Sequence, residues 1–129
     1  MKGFSSRIVD HFTNPRNLGE LDRPDVTAVV ANPCCGDRIH LYARVTDERV
    51  TECRYLAYGC AACIAVGSIL TEAVAGKPLH EISALDEGRL EALAGGLSPS
   101  QRHCATLANE VVHTLVNRYR ATHPEGVLS

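Results

Sequence analysis

The chain has 129 residues, a mass of 13.9 kDa and a formal net charge of -2, which is the size of one ordinary domain. Hydrophobic residues make up 45% and charged residues 22%, so a soluble globular fold is expected; with 5% aromatic residues and no Trp, the core must come from Ala, Val, Ile and Leu. No two Lys or Arg residues adjoin, no apolar run approaches the ~20 residues that span a bilayer, and Met1 to Ser6 lacks the apolar stretch of a signal peptide. A cytoplasmic protein is therefore expected, binding neither nucleic acid nor membrane.

In chain order, Phe4, Ile8 and Phe12 recur at helical spacing, and the helix should stop at Asn14 because Pro15 disfavours helical backbone before it. Asn17 and Gly19 mark a turn. Val26 to Ala31 is a short β-branched strand. From Asp37 to Val45 the pattern alternates: Ile39, Leu41, Ala43 and Val45 share one face, and Arg38, His40, Tyr42 and Arg44 the other. Thr46-Asp47-Glu48-Arg49 is a polar turn, and Val50 to Ala57 returns as the next strand of an antiparallel sheet. Ala61 to Ala75 reads as a helix of small apolar residues packed on the sheet, ended by Gly76 and Pro78. A weaker helix runs from Asp86 to Leu93, before Gly95-Gly96. Ser98-Pro99-Ser100-Gln101 fits a capping box, and the helix it opens continues through Leu107, Val111, Leu115 and Tyr119. The expectation is one domain over residues 1–129, frayed after Ala121, of α+β class with one sheet face covered by helices.

Six cysteines are present: Cys34, Cys35, Cys53, Cys60, Cys63 and Cys104. In a reducing compartment this number points to metal or thiol chemistry. Cys35 sits on a Pro- and Gly-fixed turn, where its thiol and the Asp37 carboxylate can point off the tip. Cys60 follows Gly59 where a strand becomes a helix, and the positive helix end there favours thiolate. His103-Cys104 lies near the start of the last helix. Three thiols, a carboxylate and an imidazole of this kind suit an iron–sulfur cluster or zinc. Spacing alone leaves open whether these cysteines share a ligand or are unrelated core and surface residues.

Asn14-Pro15-Arg16-Asn17-Leu18-Gly19 resembles the Asn-Pro-Arg-Asn-x-Gly signature of the NifU/IscU-type iron–sulfur cluster assembly scaffolds. Cys35-Gly36-Asp37, Tyr58-Gly59-Cys60 and His103-Cys104 resemble that family's three ligand motifs, in the same order, with steps of 25 and 44 residues between the cysteines. The resemblance runs from Phe4 to Tyr119. It implies a SufE/NifU-like fold, with a three-stranded antiparallel sheet flanked by helices and a site at one exposed end. It implies that Cys35, Cys60 and Cys104, with Asp37 or His103, hold a [2Fe–2S] or [4Fe–4S] cluster; the same donors are in reach of a tetrahedral ion, so zinc is expected in the as-purified form. It further implies a cysteine desulfurase that delivers sulfur as a persulfide to Cys104, an iron donor, a ferredoxin-type reductant and apo-protein acceptors, with no small substrate turned over. A carboxylate is a harder, weaker partner for a soft cluster than a thiolate, so Asp37 suits a transient site.

The family's Leu-Pro-Pro-Val-Lys stretch is Leu97-Ser98-Pro99-Ser100-Gln101 here, which counts against a DnaK-type chaperone as partner. Cys104 to Ala108 resembles the SufU branch, so a zinc-containing sulfurtransferase is a competing reading; the insertion of that branch is absent, and His103 is present. A third reading is a dithiol redox protein using Cys60 and Cys63. Against it, an antiparallel strand pair precedes the Cys-Ala-Ala-Cys motif instead of a βαβ unit. Cys53 reads as a core residue and Cys34 as a bystander. Cys63 is expected to fill a position facing the sheet. His11, His40, His80, His113 and His123 read as surface or core residues, and Asn32 and Arg54 as structural.

Overall fold

A computed structural model describes residues 3–33 and 36–123. The alternating segment forms the middle strand of a three-stranded antiparallel meander: β1 (Val26–Ala31), β2 (Arg38–Thr46) and β3 (Arg49–Tyr58), in spatial order β1-β2-β3. Ile39, Leu41, Ala43 and Val45 are all buried on one face, as the alternation predicts. The β2–β3 turn has two left-handed residues, Asp47 (φ 52°) and Glu48 (φ 61°), the backbone that matches strand twist in a two-residue hairpin. The opposite sheet face is open, with Val29 and Tyr58 about half exposed.

Among the described residues, five helices follow the strands or flank them: α1 (Ser6–Thr13), α2 (Ala61–Val74), α3 (Leu79–Ile82), α4 (Glu87–Leu93) and α5 (Arg102–Thr122). Helix α1 starts two residues later than its apolar spacing suggests. The Ser5 hydroxyl accepts from the Ile8 N–H at 3.1 Å, so Ser5 is the N-cap and Phe4 lies outside. The capping box at Ser98 forms, with the Gln101 side chain accepting from the Ser98 N–H at 3.2 Å; its first turn, Pro99–Gln101, is a 3-10 turn that leads into α5. Helix α5 reaches Thr122, one residue beyond the expected end. Helix α3 is too short to carry a periodic signal and was not expected. No helix among the described residues is long and apolar enough to cross a membrane.

Helices α2 and α5 cover the buried sheet face. The Asn14–Gly19 segment straps this layer together. Its Arg16 N–H donates to Ser68 Oγ at 2.8 Å and the Asn17 side chain to Thr71 Oγ1 at 3.1 Å, both on α2. On the other side the Tyr55 N–H donates to Asn17 O at 3.0 Å and the Gly19 N–H to Tyr55 O at 2.8 Å, which covers part of the free edge of β3.

Tyr55 fixes the distance between α2 and the sheet. Its ring is fully buried and its hydroxyl donates to Ile64 O at 2.6 Å. A Cβ on Gly67 would fall under 3.0 Å from two ring atoms of Tyr55. Gly→Ala in an exposed helix interior gains about 1 kcal/mol. Here the sign reverses: Gly67→Ala should lower stability by about 1–3 kcal/mol, as overpacking does. Chemical denaturation of the two proteins measures this, and an equal or raised midpoint for the variant would contradict the packing described.

Candidate metal centre

Three elements end at the same edge of the sheet. The β1–β2 loop supplies Asp37, immediately before β2. The Asn32 N–H donates to Asp37 O at 2.7 Å and the Gly36 N–H to Asn32 O at 2.8 Å, which closes the loop. Gly36 has φ 77°, a backbone for which glycine is suited. Cys60 is the N-cap of α2, and its carbonyl accepts from the N–H groups of Cys63 at 3.0 Å and Ile64 at 3.2 Å. His103 and Cys104 occupy the first turn of α5. Two positive helix ends therefore face one point, an arrangement that favours anionic ligands.

At that point one ligand atom each from Asp37, Cys60, His103 and Cys104 lies within 4.8 Å of every other. Cys60 Sγ is 3.6 Å from Cys104 Sγ and 3.7 Å from Asp37 Oδ2. Cys104 Sγ is 3.6 Å from His103 Nε2. The edges of a tetrahedron built from ordinary zinc–sulfur and zinc–nitrogen bonds run about 3.3–3.8 Å, so these spacings suit one small cation. The Asp37–His103 pair is closer, at 2.8 Å, because the two side chains are hydrogen-bonded. A metal that took both would have to open that bond; one that took either would leave the other as its neighbour.

Without a cation the Cys104 thiol is unfavourable to deprotonate. The Cys104 thiol is pushed far above the ordinary thiol range, first by its side-chain contact with Cys63, then by burial and then by Cys60. A bound cation would invert that preference and take the thiolate form.

The structure thus brings together four of the five residues singled out by sequence: Asp37, Cys60, His103 and Cys104. The fifth, Cys35, lies outside the described residues, as does Cys34. Asp37 is not turned off the loop tip as expected. It is buried against His103, which its carboxylate binds. Gly59 makes this possible: a Cβ there would come under 3.0 Å from Asp37 Oδ1 and Cγ. Its φ of 147° was invisible in sequence, although a glycine directly before a ligand-like cysteine was a signal. Cys53 is a core residue, as read from sequence. Cys63 is buried, as expected.

A family model described as the NifU-like N terminal domain matches residues 3–125. The chain belongs to the NifU-like N-terminal domain family. It is 39% identical over 127 residues to the bifunctional protein NifU/MnmA of Rubrobacter xylanophilus, a match covering 97% of this chain and 26% of that protein. It therefore spans about a quarter of that relative's length. It is 37% identical over 123 residues to the iron-sulfur cluster assembly scaffold protein IscU of Haemophilus influenzae, covering 92% of this chain and 96% of the relative. Among solved structures, a hypothetical protein superposes with a TM-score of 0.73 at 27% identity, over 87% of this chain and 95% of that one. The NifU-like match includes the strap at Asn14–Gly19 and all four clustered residues.

Thiol accessibility gives a direct check of this geometry. Cys60 is exposed, while Cys53 and Cys63 are buried and burial pushes the Cys53 thiol up to about 12. Iodoacetamide at about pH 8 needs an accessible thiolate. It should alkylate Cys60 in the folded protein and leave Cys53 and Cys63 unmodified until denaturant is added. Peptide mass spectrometry reads the sites, and labelling of Cys53 as fast as Cys60 would contradict the fold.

Proposed function

We propose that this chain is a scaffold on which an iron–sulfur cluster is assembled and from which it passes to apo-proteins. The observation that carries the reading is the meeting of two thiols, a carboxylate and an imidazole within 4.8 Å, at the edge of a NifU-like domain. In this reading Cys60, Cys104 and Cys35 hold the cluster through sulfur, and Asp37 or His103 completes the set. Asp37 and His103 are hydrogen-bonded to one another, so either can take iron while the other stays beside it. The cargo is a [2Fe–2S] cluster, with [4Fe–4S] the other product that thiolate ligands support. Aerobically purified protein holds zinc at the same residues, whose spacing suits a tetrahedral ion.

Sulfur arrives as a persulfide from a cysteine desulfurase, with Cys104 as acceptor. An iron donor and a ferredoxin-type reductant supply the rest, and apo iron–sulfur proteins take the product. The chain itself turns over no small substrate. The weak link is the oxygen ligand. A carboxylate exchanges from iron more readily than a thiolate, which suits a site that must release what it builds. A permanent electron-transfer site would instead use four thiolates.

Anaerobic reconstitution with a cysteine desulfurase, cysteine and ferrous iron tests this, followed by visible absorption and metal analysis. The parent protein should gain sulfur-to-iron charge-transfer bands. Cys35→Ala, Cys60→Ala and Cys104→Ala should form no stable cluster, whereas Cys53→Ala should form it, because Cys53 lies mid-strand opposite Ala43 in the core. Asp37→Ala should keep the cluster longer and pass it more slowly to an apo-ferredoxin. Loss of the cluster in folded Cys53→Ala, or its stable formation in Cys60→Ala, would overturn the ligand assignment. If Asp37→Ala lowers the melting temperature and leaves transfer unchanged, Asp37 is structural and His103 is the fourth ligand.

A further inference from the structure

Two of the clustered side chains can react with each other. The sulfur atoms of Cys60 and Cys104 lie 3.6 Å apart, at van der Waals contact, although the residues belong to different helices and stand 44 positions apart in the chain. A disulfide bond is about 2.05 Å long, so joining them needs about 1.5 Å of further approach. The two thiols differ in access. Cys60 is exposed at the N-cap of α2, where its side chain makes no capping hydrogen bond and has room to rotate. Cys104 has no exposed surface. Cys53 and Cys63 are buried as well, so among the described cysteines an oxidant arriving from solvent meets Cys60 first.

We propose that Cys60 is a site of oxidation by hydroperoxides, with Cys104 as its resolving thiol, and that the resulting Cys60–Cys104 disulfide closes the metal centre. In the first step Cys60 Sγ attacks one peroxide oxygen. A sulfur–oxygen bond forms, the oxygen–oxygen bond breaks, and hydrogen peroxide leaves Cys60 as a sulfenic acid with release of water. In the second step Cys104 Sγ attacks Cys60 Sγ. The sulfur–sulfur bond forms, the sulfur–oxygen bond breaks, and the hydroxide leaves with the Cys104 proton as a second water. Peroxide is reduced by two electrons, and the two thiols are oxidised to one disulfide. The buried partner thus intercepts the sulfenic acid before further peroxide carries it to the irreversible sulfinic acid. Of the clustered donors only Asp37 and His103 then remain, hydrogen-bonded to each other at 2.8 Å. A cation already held by both sulfurs acts the other way, because it occupies the electron pairs that attack the peroxide. Metal and oxidant therefore compete for one pair of thiols, and a dithiol restores the pair by exchange. This consequence for metal loading rests on the reading of Cys60 and Cys104 as ligands; the disulfide itself rests on their contact alone.

The test uses metal-free, fully reduced protein and one equivalent of hydrogen peroxide. Remaining thiols are blocked with N-ethylmaleimide in denaturant, and peptides are mapped by mass spectrometry. The parent should carry a disulfide between Cys60 and Cys104, with Cys53 and Cys63 recovered as blocked free thiols. Its affinity for zinc should fall at least about tenfold and return after dithiothreitol. Protein that metal analysis shows to hold zinc should form the disulfide at least about tenfold more slowly. Cys35→Ser should form it as the parent does. In Cys104→Ser, excess peroxide should drive Cys60 to the sulfinic acid, a mass gain of two oxygens. Mapping in the parent needs no variant, so a folding defect in either variant leaves the question decidable. A disulfide from Cys60 to Cys35 or to a second chain would overturn the proposal. So would sulfinic acid at Cys60 of the parent under one equivalent of peroxide, or equal rates with and without bound zinc. The ligand reading fails separately: if the reduced parent takes up no zinc and builds no cluster while the Cys60–Cys104 disulfide still forms, the oxidation site stands without it.

Discussion

The missing side chain at Gly59 sets the geometry of the edge where Asp37, Cys60, His103 and Cys104 meet. Asp37 closes the β1–β2 loop and Gly59 closes β3, and the two meet because nothing on Gly59 occupies the space of the Asp37 carboxylate. With that carboxylate turned inward, His103 on α5 finds its partner at 2.8 Å, and Cys60 at the N-cap of α2 comes within 3.7 Å of the same oxygen. A methyl at residue 59 would push Asp37 out, and the imidazole would lose the group that orients it. The same residue joins a strand to a helix, so the backbone that admits Asp37 also aims the Cys60 thiol.

The layer beneath serves this edge. Tyr55 spans from β3 to α2, and Gly67 lets the helix settle on its ring. The Asn14–Gly19 segment binds both α2 and β3 through Arg16, Asn17 and Gly19. These contacts hold the start of α2 at a fixed height above the sheet, and the height decides whether Cys60 meets Cys104. The signature segment thus acts at a distance: it touches none of the ligand atoms, yet it fixes the element that carries one of them. Small residues make the close approach possible. Ala62, Ala65 and Gly67 are all buried in α2, where larger side chains would hold the helices apart.

Much of this was legible in the residues because local rules agreed with the fold. Strict alternation from Ile39 to Val45 names the buried face, and the two-residue turn after Thr46 forces an antiparallel return. The capping box from Ser98 to Gln101 marks the approach to α5 and ends two residues before His103. Where local signals were weak, the reading slipped. Helix α1 begins at Ser6 because a serine cap outweighs the apolar spacing that begins at Phe4, and α3 has four residues, too few for any period. The inward turn of Asp37 onto His103 and the approach of Cys60 to Cys104 depend on pairs far apart in the chain. No pattern within one element could reveal them. The motifs named which residues gather, and packing decided how they face one another.

The central claim is that sulfur, oxygen and nitrogen donors from three separate elements surround one ion. X-ray absorption at the zinc edge, on anaerobically zinc-loaded protein, tests that most directly. The account predicts a mixed inner shell, with sulfur at about 2.3 Å and at least one nitrogen or oxygen at about 2.0–2.1 Å. Replacing both Cys60 and Cys104 by Ser should remove most of the sulfur signal. An inner shell of four sulfurs, or one without sulfur, would contradict the site built from Asp37, Cys60, His103 and Cys104.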